Sequence, residues 1–189
     1  MGEGRCLAWA LRSAGIGVAS VDAPDRQLHH PRPPARRRWK KGGPDNAIGR
    51  SRGGLSTKIN ALVDQDGLPL RITLSAGQAS DKAAVAELIE GLPPATALVA
   101  DRGYDAQAII DLVASKGGRA HIPTQKDRKV QRSIDPAIYR QRNVVERFFC
   151  KLKHFRRIAT RFDKLARNFL AAVLLASTRL WLRAYESTT

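Results

Sequence analysis

The stretch Tyr139-Arg-Gln-Arg-Asn-Val-Val-Glu-Arg-Phe-Phe-Cys-Lys-Leu-Lys153 contains a single acid, Glu146, within a strongly basic segment. No other acidic residue occurs between Asp135 and Asp163. The cations of this interval are Arg140, Arg142, Arg147, Lys151, Lys153, Arg156, Arg157 and Arg161. Surface helices normally mix charges of both signs. One carboxylate among so many cations therefore indicates a group that meets a cation while its neighbours meet an anion.

Helical spacing brings four polar side chains of this stretch to one side. At about 100° per residue, Tyr139, Arg142, Glu146 and Lys153 fall within about 60° of one another. The apolar side chains occupy the broad remaining side and are predicted to be buried. They are Val144, Val145, Phe148, Leu152 and Phe155. The ordinary interpretation of this pattern is an amphipathic helix with a solvated cationic face.

The four polar residues are separated by two, three and six residues, and the run Arg142–Lys164 surrounds them. This combination resembles the signature of IS5-type insertion-sequence transposases of the IS4/IS5 superfamily. The resemblance covers roughly Lys40 to the C-terminus. It implies an N-terminally truncated DDE catalytic domain with an α/β, ribonuclease-H-like fold, in which a mixed sheet with flanking helices carries the catalytic carboxylates.

The bulk composition is that of a globular chain with an unusual charge. Its 189 residues are 43% apolar, which suits one domain with a real core. The formal net charge is +16 and the pI is near 10.9. Such a chain seeks polyanions, and nucleic acid is the first candidate. A basic membrane-surface protein and a ribosomal-type binder are alternatives that charge alone does not separate.

Cysteine usage and apolar runs restrict the class of protein further. Cys6 and Cys150 are too few and too isolated for a disulfide framework or a zinc site. We therefore expect a reducing cytoplasm, with Cys150 as a small packing residue. The apolar stretch 169–182 is interrupted by Arg179 and is too short to span a bilayer. No convincing cleavage site follows the apolar residues 6–21. We expect no membrane partner.

Strand and helix signals alternate from residue 55 onwards. Residues 55–62 and 69–74 predict a hairpin around the turn Asp66-Gly67. The later predictions are a helix from residue 80 to Pro93, a strand at 97–100 buried on both faces, a helix at 106–115, a strand at 119–123, a basic loop at 124–133 and a last helix at about 165–185. This order predicts an α/β layered domain.

Asp101 follows the buried strand 97–100 at its carboxyl end, where α/β folds place their sites. A turn-capping or helix-capping role is the ordinary alternative. The run Val99-Ala-Asp-Arg-Gly-Tyr-Asp105 resembles the second catalytic aspartate motif of the family. The resemblance therefore implies that Asp101 and Glu146 are catalytic metal ligands. Asp105 is interpreted as the cap of the helix that follows.

The resemblance also implies the chemistry and the partners. DNA strand cleavage and transfer of this kind uses two divalent metals about 4 Å apart. Mg²⁺ is expected because it prefers oxygen ligands, with Mn²⁺ as an alternative. Tyr139, Arg142 and Lys153 are implied to contact DNA or to order the active site. Further candidate DNA-binding residues are Arg147, Lys151, Arg156 and Arg157. The expected partners are transposon-end and target DNA, together with other transposase subunits.

Residues 1–39 differ in composition from the predicted catalytic domain, residues 40–189. The run Pro31-Arg-Pro-Pro-Ala-Arg-Arg-Arg38 has no apolar period and predicts an irregular segment. The family places its first catalytic acid in an Asp-Ser-Thr run just before a Lys-Lys-Gly-Gly loop. Asp22 and Asp25 lie near that position but lack the Ser/Thr flank and a strand pattern. We therefore expect the first strand to be missing or disrupted and the first acid to be lost.

A displaced reading frame is one hypothesis for this loss. With permitted codons, a shift of one base turns residues 26–37 into Asp-Ser-Ser-Thr-Ile-Arg-Ala-His-Gln-His-Ala-Ala. The residues before about Lys40 would then be translated in the wrong frame. The nucleotide sequence of codons 20–42 decides the matter, since the hypothesis fails if no shifted frame encodes an Asp-Ser run.

The resulting prediction is a transposase whose metal-dependent strand cleavage is impaired by loss of the first aspartate. A noncatalytic DNA-binding remnant of a transposase is the alternative. A basic RNA-binding protein is a third interpretation, although the chain has no aromatic stacking motif that would support it.

Overall fold

The computed structural model describes residues 16–24, 46–51 and 54–187. Their strands are β1 (Ile16–Pro24), β2 (Gly49–Ser51), β3 (Gly54–Val63), β4 (Pro69–Ala76), β5 (Ala97–Ala100) and β6 (Arg119–His121). Their α-helices are α1 (Val85–Ile89), α2 (Gln107–Ser115), α3 (Pro136–Arg140), α4 (Asn143–Lys153), α5 (Arg156–Ala159) and α6 (Ala166–Glu186). Short 3-10 turns span Asp81–Ala84 and Arg102–Tyr104. The Pro/Arg run and the residues of the frame hypothesis lie outside the described residues.

The described strands form one mixed sheet. Its order is β2-β3-β1-β5-β6, and β4 also pairs with β3. β1 and β6 both run parallel to β5, whereas β2 is antiparallel to β3. Gly17 is the register partner of Val99, which in turn is opposite His121. A mixed sheet with helices confirms the predicted α/β class.

β1 corrects the expectation that the first strand is missing or disrupted. Residues 16–24 pair in parallel with β5, and Asp22 lies within this strand. The segment is rich in β-branched residues (Ile16, Val18 and Val21), which favour strands. The Pro/Arg composition begins only at Pro31, so it does not describe the residues before it.

The predicted hairpin, the strands near 97–100 and 119–123, the helix near 106–115 and the last helix are confirmed, whereas the helix that ends before Pro93 is shorter than expected. β3 and β4 are joined by a turn in which Gly67 has a φ of 79°. α1 ends at Ile89, before Pro93, because Glu90 is extended and Gly91 adopts a φ of 75°. No helix within the described residues is long and apolar enough to cross a bilayer.

The described residues divide into two compact units. The first contains residues 16–19, Ala61–Arg71 and Ser80–Phe148. Its apolar core is formed by Val18, Leu62, Ala84, Val85, Leu88, Ile89, Leu98, Ala100, Tyr104, Ile109, Val113 and Ile122. β1 and β5 therefore turn Val18, Leu98 and Ala100 towards α1 and α2, which cover one face of these strands.

The opposite face of β1 carries α4. Strand residues alternate between faces, so Gly17 and Val99 point away from the core that contains Val18. A methyl group on Gly17 would overlap Val145 Cγ2 of α4 and lie 3.6 Å from Val63. Val144 approaches the hairpin turn in the same way, 3.0 Å from the position of a Cβ on Gly67. Because Gly17 and Gly67 have no side chains, α4 can lie directly against β1 and the hairpin turn.

The second unit contains residues 20–24, 46–51, 54–60, Ile72–Ala79 and 149–187. Its centre is Arg161, a fully buried arginine. The guanidinium donates to Thr57 Oγ1 on β3 and to the backbone oxygens of Asp163 (2.7 Å) and Lys164 (3.1 Å). It also lies over the ring of Phe169 on α6, at 5.1 Å from the centroid. Arg161 therefore links strand, loop and helix through one cation.

We predict that Gly17→Ala destabilises the protein by about 1–3 kcal/mol, the usual range for overpacking a close contact. A glycine-to-alanine change without steric conflict would instead stabilise by about 0.4–1 kcal/mol. Urea denaturation of Gly17→Ala, Val145→Ala and the double variant measures the effect. The Gly17→Ala penalty should largely disappear in the Val145→Ala background. An equal penalty in both backgrounds would contradict the proposed contact.

Candidate active site

Asp101 begins the 3-10 turn that follows β5. Its Oδ1 accepts a hydrogen bond from the backbone N–H of Gly103 at 2.8 Å. The capping role considered for Asp101 is therefore real, but it uses one oxygen. Oδ2 makes no hydrogen bond within the described part of the chain, and the residue is exposed. Since Asp101 has extended backbone and follows Val99 by two positions, it lies on the α4 side of the sheet.

Glu146 lies in the first turn of α4, next to the Val145 that packs on Gly17. Its side chain is 54% exposed, and Arg142 Nη1 lies 2.6 Å from its Oε1. The partial positive charge at a helix N-terminus also favours a carboxylate there. Strand alternation therefore assigns Asp101 to the face of the sheet that α4 covers, and Glu146 lies on α4.

The single helix expected from Tyr139 to Lys153 is wrong. Tyr139 lies on α3, and a turn at Gln141-Arg142 separates α3 from α4. Asp135 Oδ1 caps α3 by accepting from the N–H groups of Ala137 and Ile138. Bonds between residues three apart connect the two helices, as from Arg142 N to Tyr139 O and from Val145 N to Arg142 O.

These tighter turns change the angular positions expected for one α-helix. Tyr139, which is half-buried, therefore lies on α3, the helix that contacts β5, and not on α4. Arg142 and Glu146 nevertheless still meet as neighbours four positions apart. The predicted buried face of α4 is confirmed, because Val144, Val145, Phe148 and Leu152 are all buried.

The remaining candidate DNA-binding cations differ in their engagement. Arg147, Lys151, Lys153 and Arg156 are exposed. Arg157 instead forms a two-bond pair with Asp163, at 3.0 and 2.7 Å, and these hydrogen bonds lower the pKa of Asp163. Among the described residues, the Arg157 guanidinium therefore already binds a carboxylate of the protein, unlike the other four cations.

Cys150 is also exposed, which corrects its interpretation as a packing residue. Its position on α4 is adjacent to the buried Phe149 but on the solvent side of the helix.

Asp105 has a role that the sequence pattern did not suggest. It does not cap α2, whose N-terminal position is Ala106 without a side-chain cap. The carboxylate is instead buried, and it accepts from the N–H of Gln125 at 2.9 Å. It also pairs with Arg128, at 3.0 Å, and with Arg132. The partners are about twenty residues or more away, so no local pattern indicates them.

Burial raises the pKa of Asp105, but the hydrogen bonds from Gln125 and Arg132 and the charges of both arginines outweigh it. The net effect is a lowered pKa. A carboxyl with a lowered folded-state pKa stabilises the fold above its unfolded-state value, and this contribution is lost as the pH falls through the folded-state pKa. Asp105 is therefore ionised at neutral pH.

His121 on β6 is a second buried polar group near the acids. As the register partner of Val99 it points to the same side of the sheet. Its burial and the charge of Arg119 lower its pKa, against the opposing effect of Asp135. His121 is therefore neutral at neutral pH and adds no cation to this face.

The donor atoms of the site suit a hard divalent cation. Asp101 Oδ2 and the carboxylate of Glu146 are oxygen ligands of the type that Mg²⁺ and Ca²⁺ prefer. Within the described residues, no group of three His, Cys, Asp or Glu side chains is arranged to hold a metal. Asp22 is the acid of β1. The oxygen donors of Asp101 and Glu146 are chemically suited to a divalent metal.

The sequence model of the family described as "Transposase DDE domain" matches residues 13–181. The chain belongs to this DDE transposase family. The matched region includes β1, so the family likeness extends further towards the N-terminus than Lys40. Chemistry that depends on a divalent metal is implied by membership.

Two curated relatives support the assignment of this chain to the DDE transposase family. A Brucella ovis protein named as the transposase for insertion sequence element IS6501 is 38% identical over 130 residues, covering 68% of this chain and 100% of the relative. A Burkholderia cepacia protein named for element IS402 is 31% identical over 181 residues, covering 88% of this chain and 82% of the relative. Both are insertion-sequence transposases by name.

Two solved structures resemble the transposase chain over part of its length. The piggyBac transposase synaptic complex with hairpin DNA has a TM-score of 0.39 at 10% identity, covering 62% of this chain and 24% of that chain. The Mos1 transposase paired-end complex with the left transposon end has a TM-score of 0.34 at 12% identity, covering 56% and 34%. The chain spans less than two thirds of either structure.

We predict that Arg142→Gln changes the free energy of unfolding by less than about 0.5 kcal/mol. The Arg142–Glu146 pair is partly exposed, and ion pairs of this kind four residues apart on a helix contribute about 0.3–0.5 kcal/mol. Urea denaturation at moderate salt measures the change. A loss well above about 1 kcal/mol would mean that the pair stabilises the fold rather than serving the site.

Proposed function

We propose that this chain binds DNA and cleaves its strands with divalent metal, as an insertion-sequence transposase whose cleavage activity is weak. The observation that supports the proposal is the packing of α4, which carries Glu146, on Gly17 of β1, the strand that pairs with β5 just before Asp101. Family membership supplies the class of reaction. Transposon ends and target DNA are the proposed substrates, and the bacterial cytoplasm is the proposed location.

Asp101 and Glu146 are the proposed metal ligands, with Mg²⁺ as the metal and Mn²⁺ as an alternative. When bound, the metal would stabilise charge on the phosphodiester and lower the pKa of an attacking water. Asp101 offers its unbonded Oδ2, while the turn that its Oδ1 caps keeps the carboxylate in place. Arg142 orients the Glu146 carboxylate through their close pair.

The cations on the helices would hold the DNA backbone. Arg147, Lys151, Lys153 and Arg156 are exposed and can neutralise phosphates, as could Arg157 from its pair with Asp163. Tyr139 is half-buried on α3 and is proposed to order the site beside β5. Such contacts position the duplex without reading its sequence. Other transposase subunits are proposed partners.

The weakness follows from the ligand count. A two-metal site needs several carboxylates, whereas the proposed ligands are two, and no group of three suitable side chains occurs within the described residues. The Asp-Ser-Thr run expected for the first acid is absent from the sequence. Asp22, through its position in β1, is the residue of the described chain that could stand in its place.

The decisive experiment is cleavage of labelled transposon-end DNA with Mg²⁺ or Mn²⁺. We expect weak cutting by the natural chain and by Glu87→Ala, an exposed-acid control on α1, and no cutting above background by Asp101→Ala. Strong cutting by the natural chain, abolished in Asp101→Ala and retained in Glu87→Ala, would contradict the proposal that the cleavage activity is weak. Loss of that cutting in Asp22→Asn as well would identify Asp22 as the third acid.

A noncatalytic DNA-binding remnant is the second candidate function. It is favoured by the close Arg142–Glu146 pair, which satisfies the acid without metal. Calorimetric titration with Mn²⁺ separates the two functions. If the natural chain binds Mn²⁺ weakly and Asp101→Ala and Glu146→Gln each abolish this binding, the metal site is supported. If the natural chain binds no Mn²⁺ and Glu146→Gln leaves the DNA affinity unchanged, the noncatalytic remnant is supported. Preference for RNA over duplex DNA would favour the third interpretation.

A further inference from the structure

One short turn carries two acids with opposite environments. Asp101 and Asp105 bracket the 3-10 turn Arg102–Tyr104, which is closed by bonds from Tyr104 N to Asp101 O and from Asp105 N to Arg102 O. Asp101 is exposed, whereas Asp105 is 1% exposed. A segment bound to Asp105 is therefore attached four residues after Asp101, the candidate catalytic acid.

Asp105 holds the segment 124–133, which we call the latched loop. Gln125, Arg128 and Arg132 of this loop all contact its carboxylate. Lys82 Nζ supports the turn from the other side by donating to Asp105 O at 2.9 Å. Three attachments to a single buried carboxylate determine where the loop lies.

The latched loop is also closed internally. Arg132 N donates to Thr124 Oγ1 at 2.9 Å, joining its two ends. The Gln131 amide donates to the backbone oxygens of Gln125 (3.0 Å) and Arg128 (2.8 Å) across the middle. The loop thus has a defined shape without a helix, a strand or an apolar core of its own.

The exposed residues of the loop carry an excess of positive charge, because Lys126 and Lys129 outnumber its single acid, Asp127. Arg128 and Arg132 are directed at Asp105, while Lys126 and Lys129 are exposed and have no ion-pair partner among the described residues. Val130 beside them is 79% exposed, so the tip is not packed on the protein. The loop presents two lysines to solvent from a fixed frame.

The contacts of Asp105 with Gln125, Arg128 and Arg132 stabilise the loop although burial of the carboxylate carries a desolvation cost. What the buried charge adds is a defined placement of the loop. Two exposed lysines on a loop that is tied to the turn after Asp101 match the charge of a DNA backbone.

We propose that the latched loop binds the DNA phosphate backbone beside Asp101 through Lys126 and Lys129, and that Asp105 is the positioning residue for this contact. The proposal rests on the proposed function, because it takes DNA as the partner. It adds a second binding surface to the cations of α4 and α5.

The first test removes the lysines. Lys126→Gln/Lys129→Gln is compared with Arg179→Gln/Arg183→Gln, which removes the same charge from exposed positions of α6. Fluorescence anisotropy with a labelled duplex of arbitrary sequence gives the affinity over a range of salt concentrations. We expect the loop variant to lower the steepness of log K against log salt by about 1.8, or about 0.9 per phosphate contact. The α6 variant should change it less.

The second test separates positioning from bulk charge. Asp105→Asn makes the protein more positive, so charge alone predicts tighter DNA binding. Positioning predicts weaker binding together with faster hydrogen exchange across residues 124–133. Circular dichroism checks that the variant folds. The lysine variant is on the surface and keeps the first test decisive if Asp105→Asn does not fold.

The outcomes separate the two proposals. One set of results has the natural chain binding DNA while the loop variant binds equally well, or while both double variants bind equally weakly. Either result overturns the proposed DNA contact of the loop and leaves the proposed function intact. Tighter binding by folded Asp105→Asn overturns its positioning role. Absence of DNA binding by the natural chain overturns the loop and the proposed function together.

Discussion

The close approach of α4 to β1 at Gly17 determines the geometry of the candidate site. The space left by the missing side chain is filled by Val145, whose neighbour in sequence is Glu146. Gly17 is the register partner of Val99 on β5, and Val99 lies two residues before Asp101. A displacement of α4 from the strand would therefore move one acid relative to the other, even though neither acid takes part in the packing. Positioning here depends on apolar contact, and the polar groups follow from it.

The local setting of both acids could be predicted from the sequence, whereas their role as metal ligands rests on the family resemblance and stays a prediction. Asp101 ends a short apolar strand, and Glu146 interrupts a basic amphipathic helix. Alternation along β5 then fixes the side of the sheet that Asp101 occupies. The break between α3 and α4 was not predictable from period alone, since 3-10 bonds and α-helical bonds suit the same residues. β1 was missed because its nine residues precede a Pro/Arg run that dominated the composition of the segment.

The two buried charged side chains illustrate what local reasoning does not reach. Asp105 is neutralised by arginines of a distant loop, whereas Arg161 donates to a threonine hydroxyl and two backbone oxygens. In both cases the partners come from other elements of the chain, so sequence neighbours give no signal. Each residue fixes irregular segments that have little apolar surface to bury. The protein thus uses buried charge where a loop must have one position, and apolar packing where helices meet strands.

The pair between Arg142 and Glu146 connects the basic composition to the strength of metal binding. In a helix surrounded by cations, a carboxylate finds a partner whether or not metal is present, and Arg142 takes that place at 2.6 Å. Because the pair is partly exposed, it is weak enough for a divalent cation held by several carboxylates to compete with it. With Asp101 and Glu146 as the proposed ligands, the competition shifts towards Arg142. The excess of positive charge that is proposed to attract DNA therefore opposes metal binding at the proposed site.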